Sequence, residues 1–239
     1  MSDLNLRFAS KAPARVDALV VFEGYELPKA LAAEAKRQWN QGKLAVMPSM
    51  GELPQTLVLA IKRPELGDAR ALQLAIGAAG RALLKEKVAS AALVLDDAFI
   101  AETAEALVTG LARALYAFDR YRPTKTVMPR VTIVSPGRDF TRAAKAAVPI
   151  AEGIQLTRDL VNTPAENMGP SELEAEARRI AKQAGLSVKV LNAARCEKMG
   201  MGAITAVGRA SDDPPRIIVL EHRGAPRSKE VLAFAGKGI

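Results

Sequence analysis

The chain alternates short apolar runs with longer amphipathic stretches, and this alternation restricts the possible fold more than any other feature. The short runs are rich in Val, Leu and Ile, which is typical of buried strands. The stretches between them carry apolar residues at helical spacing. Strands that alternate with helices indicate an α/β fold. The predicted strands of this region are 16–22, 56–62, 91–96 and 131–134, and the predicted helices are 28–39, 67–87 and 97–118.

A break falls at SPGRD, residues 135–139, because Pro and Gly interrupt both patterns there. A long helix is predicted after it, with a kink at Pro149 and an end near Asn162, where NTPAENMGP begins. The prediction of this helix depends on apolar residues that recur along one helical face. That face consists of Phe140, Ala144, Val148, Ala151, Ile154 and Leu160.

A second α/β unit is predicted to begin after this helix. Ser171 and Glu174 have the spacing of a capping box, and Gly185 is the predicted end of the helix that follows. Strands are predicted at 187–191, 216–221 and 230–235. A buried parallel strand is normally followed by a crossover helix, and none follows the last of these strands. We therefore expect the natural protein to be longer, although a terminal edge strand is an alternative.

Basic residues are distributed unevenly along the 239 residues, whose net charge is +8. Residues 1–150 carry 21 Lys and Arg against 15 Asp and Glu, and residues 151–239 carry 13 against 11. The densest basic stretch, residues 120–145, has seven cations and one acid. Such a stretch suits a polyanion, including DNA, or is simply a solvated face. Only 4% of residues are aromatic, so few side chains are available to stack on bases.

Composition and the apolar runs indicate a globular protein rather than a membrane or disordered one. No apolar run approaches the roughly 20 residues of a spanning helix, and the N-terminus lacks the pattern of a secretory signal. Cys196 is the only cysteine, which fits a reducing compartment, and we expect it to be buried rather than reactive. The predicted location is the cytoplasm.

Lys237 is the strongest candidate for a functional residue on physical grounds. It follows the predicted strand 230–235 and lies between Gly236 and Gly238, which would let the backbone approach a ligand closely. The tripeptide does not match a phosphate-binding loop, because Val231 stands where that motif needs glycine. An exposed turn lysine is the alternative.

Other candidate residues are more readily explained by structure than by chemistry. His222 is the only histidine and is expected at the surface after a strand. Gly200 is expected to end a helix, with residues 201–208 forming a turn or packed loop, because no strand precedes these glycines as a dinucleotide fingerprint requires. Glu166 and Asn167 are expected to make local hydrogen bonds.

Several stretches, taken in order, resemble the leucyl aminopeptidase (cytosol aminopeptidase) family. They are EGIQLTRDLVNTPAENMGPSELEAEA, MGMGAITAVGRASDDPPRIIVLEHRG and VLAFAGKGI, with a weaker echo in LVTGLARALYAFDRYRP. The resemblance is strong over residues 151–239 and looser before them. It implies a macro-like N-terminal domain over 1–138, a linking helix over 139–162, and over 163–239 the beginning of a mixed-sheet metallopeptidase domain.

The resemblance also implies a chemistry and an assembly. The family binds two divalent cations, Mn or Zn, and Lys237 matches a lysine that is a ligand to one of them. Paired cations polarise the peptide carbonyl and generate hydroxide for removal of N-terminal residues, preferably leucine. The remaining ligands and the catalytic residues are expected beyond Ile239, so no catalytic residue is assigned here and the substrate-binding residues are unknown. Family members are typically hexamers.

Without those ligands, nothing offsets the cost of removing the Lys237 proton. We therefore expect the 239-residue chain to be inactive, with Lys237 protonated and without metal. Two other readings stay open. The chain could be a macro-like module that binds a nucleotide or DNA, or an assembly domain without catalysis.

Overall fold

The structure is a computed structural model that describes residues 4–49, 51, 53–135 and 137–238. The chain divides into two compact units, residues 1–159 and 160–239. Two residues of the predicted segments, Pro136 and Ile239, lie outside the described residues. Within the described ranges, no helix is both long and apolar enough to cross a bilayer.

Six strands form one sheet in the first unit. They are β1 (Leu6–Ala9), β2 (Ala18–Phe22), β3 (Ala45–Pro48), β4 (Leu57–Ile61), β5 (Ser90–Val94) and β6 (Arg130–Val134). Their order across the sheet is β1-β6-β5-β2-β4-β3. Five strands are parallel, and β3 pairs with β4 in the antiparallel sense. The central strands are buried on both faces, which explains their continuous apolar runs.

Helices cover both faces of this sheet. They are α1 (Lys29–Asn40), α2 (Ala69–Lys85), α3 (Ala104–Ala114) and α4 (Arg138–Asn162). Leu72 of α2 and Leu107 of α3 belong to the larger apolar cluster, whereas Leu31 of α1 belongs to the cluster on the opposite face. Trp39 at the end of α1 donates its indole N–H to the Ala60 carbonyl at 2.9 Å. The first unit is therefore a three-layer α/β structure.

The four strands predicted in this unit are confirmed, but two further strands were missed. Both β1 and β3 are four residues long, and both lie at the edges of the sheet. The helix predicted over 97–118 is too long. The structure has a 3₁₀ turn at Ala101–Thr103, followed directly by the shorter helix α3. The long helix α4 is confirmed and continues through Pro149.

The described residues that follow the 3₁₀ turn at Ala165–Asn167 form three α-helices and a pair of strands in the second unit. They are α5 (Pro170–Ala184), β7 (Ser187–Asn192), α6 (Ala193–Lys198), α7 (Gly202–Gly208) and β8 (Arg216–Glu221). The strands β7 and β8 are antiparallel and pair over six residues each. Both were predicted, as was the end of α5 at Gly185, whose φ of 67° suits glycine.

Candidate functional site

The segment that leads to Lys237 is exposed and irregular. The strand predicted over 230–235 is wrong, because residues 229–238 have no regular secondary structure. Val231 and Phe234 are each 89% exposed and Leu232 is 81% exposed. The sheet described in this unit has two strands, β7 and β8, and this apolar sequence pairs with neither. Strand-forming residues without a paired neighbour gain little from an extended conformation.

Lys237 lies between two glycines with different surroundings. A Cβ added at Gly236 would meet nothing within 4 Å, whereas one at Gly238 would lie 3.0 Å from Cδ2 of Leu173 in α5. The backbone of Gly238 therefore passes close to the first turns of α5. Lys237 itself is exposed. The position of the lysine is thus set by an irregular segment beside α5 rather than by the end of a buried strand.

The described residues do not fit a two-metal centre by themselves. Across the described ranges, no group of three or more His, Cys, Asp or Glu side chains is arranged to hold a metal ion. Divalent cations in protein sites usually take several such ligands. Lys237 is the single residue of this chain that the family resemblance assigns to the metals.

A polar network connects α5 with the start of β8. The Arg216 guanidinium donates to Glu174 Oε2 at 2.7 Å and to Asp213 Oδ1 at 2.6 Å. Asp213 also accepts from the Ser171 backbone N–H at 2.7 Å, and Glu174 pairs with Arg178 at 2.8 Å. The side chain of Arg216 is only 17% exposed. This network fixes SDDPPR against the beginning of α5, although the residues are 42 positions apart.

The two carboxylates of this network are held in their charged form. The hydrogen bond from Arg216, followed by that from Arg178, keeps the pKa of Glu174 below its usual range. Hydrogen bonding from Ser171, with a smaller contribution from Arg216, lowers the pKa of Asp213. Both groups are therefore ionised at neutral pH and complement the guanidinium charge.

The predicted capping box at Ser171 and Glu174 is wrong. The N-cap is Gly169 rather than Ser171, so the helix begins at Pro170, two residues earlier than predicted, and the Gly169 N–H donates to the Glu172 carboxylate at 2.9 Å. Proline at the first helical position explains the shift, because its ring already has helical φ and it needs no hydrogen-bond acceptor. A Cβ at Gly169 would lie 2.8 Å from Asp213 Oδ2, so a side chain there would push against the network.

The glycine-rich stretch that follows α6 is folded differently from the prediction. Gly200 does end α6, with φ of 70°. Residues 202–208 form helix α7 rather than a turn or loop, and the Thr205 hydroxyl donates to the Gly202 carbonyl at 3.1 Å. A Cβ at Gly208 would lie 2.4 Å from Cγ of Pro215. Ala203 and Ala206 favour a helix inside the stretch, and Gly208 allows close packing on the proline.

Cys196 and His222 occupy structural positions, as predicted, and Asn167 makes the local hydrogen bond that was expected. Cys196 is fully buried, and its thiol donates to the Leu191 carbonyl at 3.6 Å. His222 is exposed immediately after β8. Asn167 belongs to a 3₁₀ turn in which its backbone N–H donates to the Pro164 carbonyl at 2.8 Å, and Glu166 lies in the same turn.

In the first unit, an arginine fills the crevice beyond the carboxyl ends of β2, β4 and β5. Arg63 follows β4, donates to Asp96 Oδ1 at 3.0 Å and forms a second, shorter contact with Oδ2. It also donates to the Glu23 carbonyl at 2.8 Å and lies over the Phe99 ring at 5.5 Å. Ligands of open α/β sheets often bind at such positions. Here the protein's own side chain occupies the space.

The fold and motifs define an α/β protein whose second unit carries the sequence pattern of a peptidase. The family model of the cytosol aminopeptidase N-terminal domain matches residues 27–125, and the model of the catalytic domain of that family matches residues 155–239. The chain belongs to the cytosol aminopeptidase family. The resemblance that the sequence motifs indicated is therefore confirmed.

Known relatives agree in sequence and in fold. A cytosol aminopeptidase from Pseudomonas aeruginosa is 36% identical over 229 residues, which cover 88% of this chain and 46% of that protein. The bottromycin maturation enzyme BotP, solved in complex with Mn, is 27% identical with a TM-score of 0.70 and is matched over 86% of this chain and 45% of its own. A tomato leucine aminopeptidase variant shares the fold at 22% identity, with a TM-score of 0.72 over 91% of this chain and 50% of its own.

The chain spans about half the length of the relatives that it matches. The second matched region ends at residue 239 and includes the whole of α5 to β8 and the GKG tripeptide. The Lys237 assignment thus lies inside the matched catalytic region.

Proposed function

We propose that this chain is part of a metal-dependent leucyl aminopeptidase, which removes N-terminal residues, preferably leucine, from peptides. The observation that carries the proposal is the match of two family domains in their natural order over residues 27–125 and 155–239. The relative solved with Mn supports a divalent cation as cofactor, with Mn or Zn and two ions per site as the specific proposal.

Lys237 is proposed as a ligand to one of these cations. A neutral amine can donate its lone pair to a metal, but lysine ordinarily keeps its proton, with a pKa of about 10.4. A site that contains two dications disfavours the ammonium form. Bound cations of this kind supply Lewis-acid polarisation of the peptide carbonyl. Across the described residues, no group of three or more His, Cys, Asp or Glu side chains is arranged to complete such a site.

The 239-residue chain is therefore proposed to be inactive on its own. Its release of p-nitroaniline from leucine p-nitroanilide, with added Mn or Zn, should not exceed that of buffer with the metal. The reading frame downstream of Ile239 decides whether the gene encodes a longer form. That longer form should show metal-dependent turnover, and turnover by the 239-residue chain would refute the assignment of the missing ligands.

The role of Lys237 has a matched control within the same exposed segment. In an active longer form, Lys237→Met should reduce kcat/KM strongly and weaken metal retention. Lys229→Met removes the same charge eight residues earlier and should leave both unchanged. Equal losses in the two variants would show that charge alone matters. Metal content measured after dialysis separates loss of the ligand from loss of fold.

The assembly, domains and location are proposed from the family resemblance. The full protein is proposed to be a cytoplasmic homohexamer that acts on peptide substrates. Residues 1–138 are proposed to form a macro-like domain, 139–162 a linking helix and 163–239 the beginning of the catalytic domain. The six-stranded sheet with helices on both faces and the helix Arg138–Asn162 support this division. Light scattering of the full protein tests the hexamer.

A further inference from the structure

A basic cavity lies in the first unit, away from the crevice that Arg63 fills. Its volume is about 630 Å³, and it opens between the carboxyl ends of β1 and β6 and the first turns of α4. This volume is within the range of small-molecule sites, roughly 300–1,000 Å³. The cavity lies wholly within residues 8–145.

Three cations of one helix face line this cavity. Arg138, Arg142 and Lys145 are spaced four and three residues apart on α4, so they project from the same side of the helix. Asp139 pairs with Arg142 at 3.1 Å, with both side chains more than 80% exposed, and offsets part of that charge. No carboxylate among the described residues pairs with Arg138 or Lys145. About two positive charges are therefore left uncompensated.

Hydroxyl groups form the floor between these cations. Ser135 Oγ and Thr141 Oγ1 lie 2.7 Å apart, and each also lies within 2.9 Å of the Gly137 carbonyl oxygen. The third hydroxyl, that of Ser10, follows β1 at the opposite wall. The positive end of the α4 helix dipole adds to the potential in the same place. The Ser135 and Thr141 hydroxyls already donate to the Gly137 carbonyl, so the Ser10 hydroxyl is the side-chain donor that joins the cations. No acidic residue is among the described lining residues.

We propose that this cavity binds the phosphate group of a small phosphomonoester. A phosphomonoester carries close to two negative charges at pH 7, which matches the uncompensated charge of Arg138 and Lys145. Arginine and lysine are the usual partners of phosphate oxygens. Phe8 is the sole aromatic lining residue and packs against the apolar core, so the cavity offers no platform for successive bases. A small molecule therefore suits the cavity better than a nucleic-acid strand.

The test is a titration of the 239-residue chain with inorganic phosphate and with glycerol 3-phosphate. Amide NMR chemical shifts and isothermal titration calorimetry measure the binding. Saturable binding at one site, with shifts centred on Ser10, Ser135 and Gly137, is the expected result. The double variant Arg138→Gln/Lys145→Gln should weaken binding about tenfold or more, because two charge-assisted contacts are lost.

The matched control is the double variant Arg70→Gln/Lys36→Gln. It removes the same charges, from the first turn of α2 and from the exposed face of α1, outside the cavity. It should bind phosphate as the parent chain does. Equal weakening by both double variants would overturn the proposal in favour of general charge attraction. Absence of saturable binding at tens of millimolar ligand, or retention of duplex DNA without phosphate binding, would also overturn it.

Discussion

The two units of this chain are stabilised in different ways. In the first, large apolar side chains such as Phe99, Leu107 and Ile133 are almost fully buried between the sheet and its helices. In the second, the buried apolar side chains of the described residues are all small, namely Ala177, Ala181 and Cys196. Burial of large side chains contributes most of the favourable free energy of folding. The second unit depends more on polar pairs and close glycine packing.

The largest effect is expected from the apolar core of the first unit. Leu107→Ala should lower the free energy of unfolding by about 2–5 kcal/mol, because it opens a cavity at a fully buried position. Leu74→Ala is the matched control on α2, where the side chain is 61% exposed, and should change stability by less than about 0.5 kcal/mol. Urea denaturation of both variants measures the difference. Similar losses would contradict the comparison.

In the second unit, glycine packing can be tested at both ends of α7. Gly208→Ala should destabilise the local structure by about 1–3 kcal/mol, because its Cβ would overlap the Pro215 ring. Gly202→Ala adds the same methyl group where nothing lies within 4 Å, and it should leave the helix intact. Hydrogen exchange of residues 202–208 reports the outcome. Unchanged protection in the Gly208 variant would refute the packing argument.

Substitution of Arg63 tests whether the stability of the first unit also depends on a polar contact. Arg63→Met should cost about 1–2 kcal/mol, because Asp96 and the Glu23 carbonyl both lose a charged donor. Arg37→Met removes a similar contact to Glu34 on the exposed surface of α1, and no measurable loss is expected. Thermal unfolding of the two variants and the parent compares them. A loss in the Arg37 variant as large as that in the Arg63 variant would contradict this ranking.

The smallest effect concerns pH. Because the pKa values of Glu174 and Asp213 are lowered by folding, their contribution to stability is complete above the ordinary carboxyl pKa. It declines as the pH falls below about 4 and is lost once the pH passes below the lowered values. Arg216→Gln should raise the pKa of Glu174, measured by NMR titration of its carboxyl carbon. Arg223→Gln, on an exposed pair with Glu221, should not.

Sequence patterns predicted those elements of the fold that have a clear local pattern of apolar residues. The strands β2, β4, β5 and β6 are buried on both faces, so their continuous apolar runs identified them. Short edge strands such as β1 and β3 have no such signal within four residues. The apolar run 230–235 has the sequence pattern of a strand but does not form one, because strand-forming residues need a neighbouring strand to pair with.

The candidate site was less predictable than the fold. The assignment of Lys237 came from its glycine neighbours and the family motif, both of which are local in sequence, and it stays a prediction. The Arg216 network was missed because Glu174 and Arg216 are 42 residues apart, and no periodicity links them. A sequence signal for the start of α5 did exist in Pro170, and the Ser-x-x-Glu pattern one residue later obscured it.

The position of Trp39 has a practical consequence for spectroscopy. It is the only tryptophan, and the three tyrosines, Tyr25, Tyr116 and Tyr121, also precede residue 160. Tryptophan and tyrosine fluorescence therefore originates in the first unit and does not report unfolding of the second. Far-ultraviolet dichroism senses both, so a mismatch between the two optical signals would reveal stepwise denaturation.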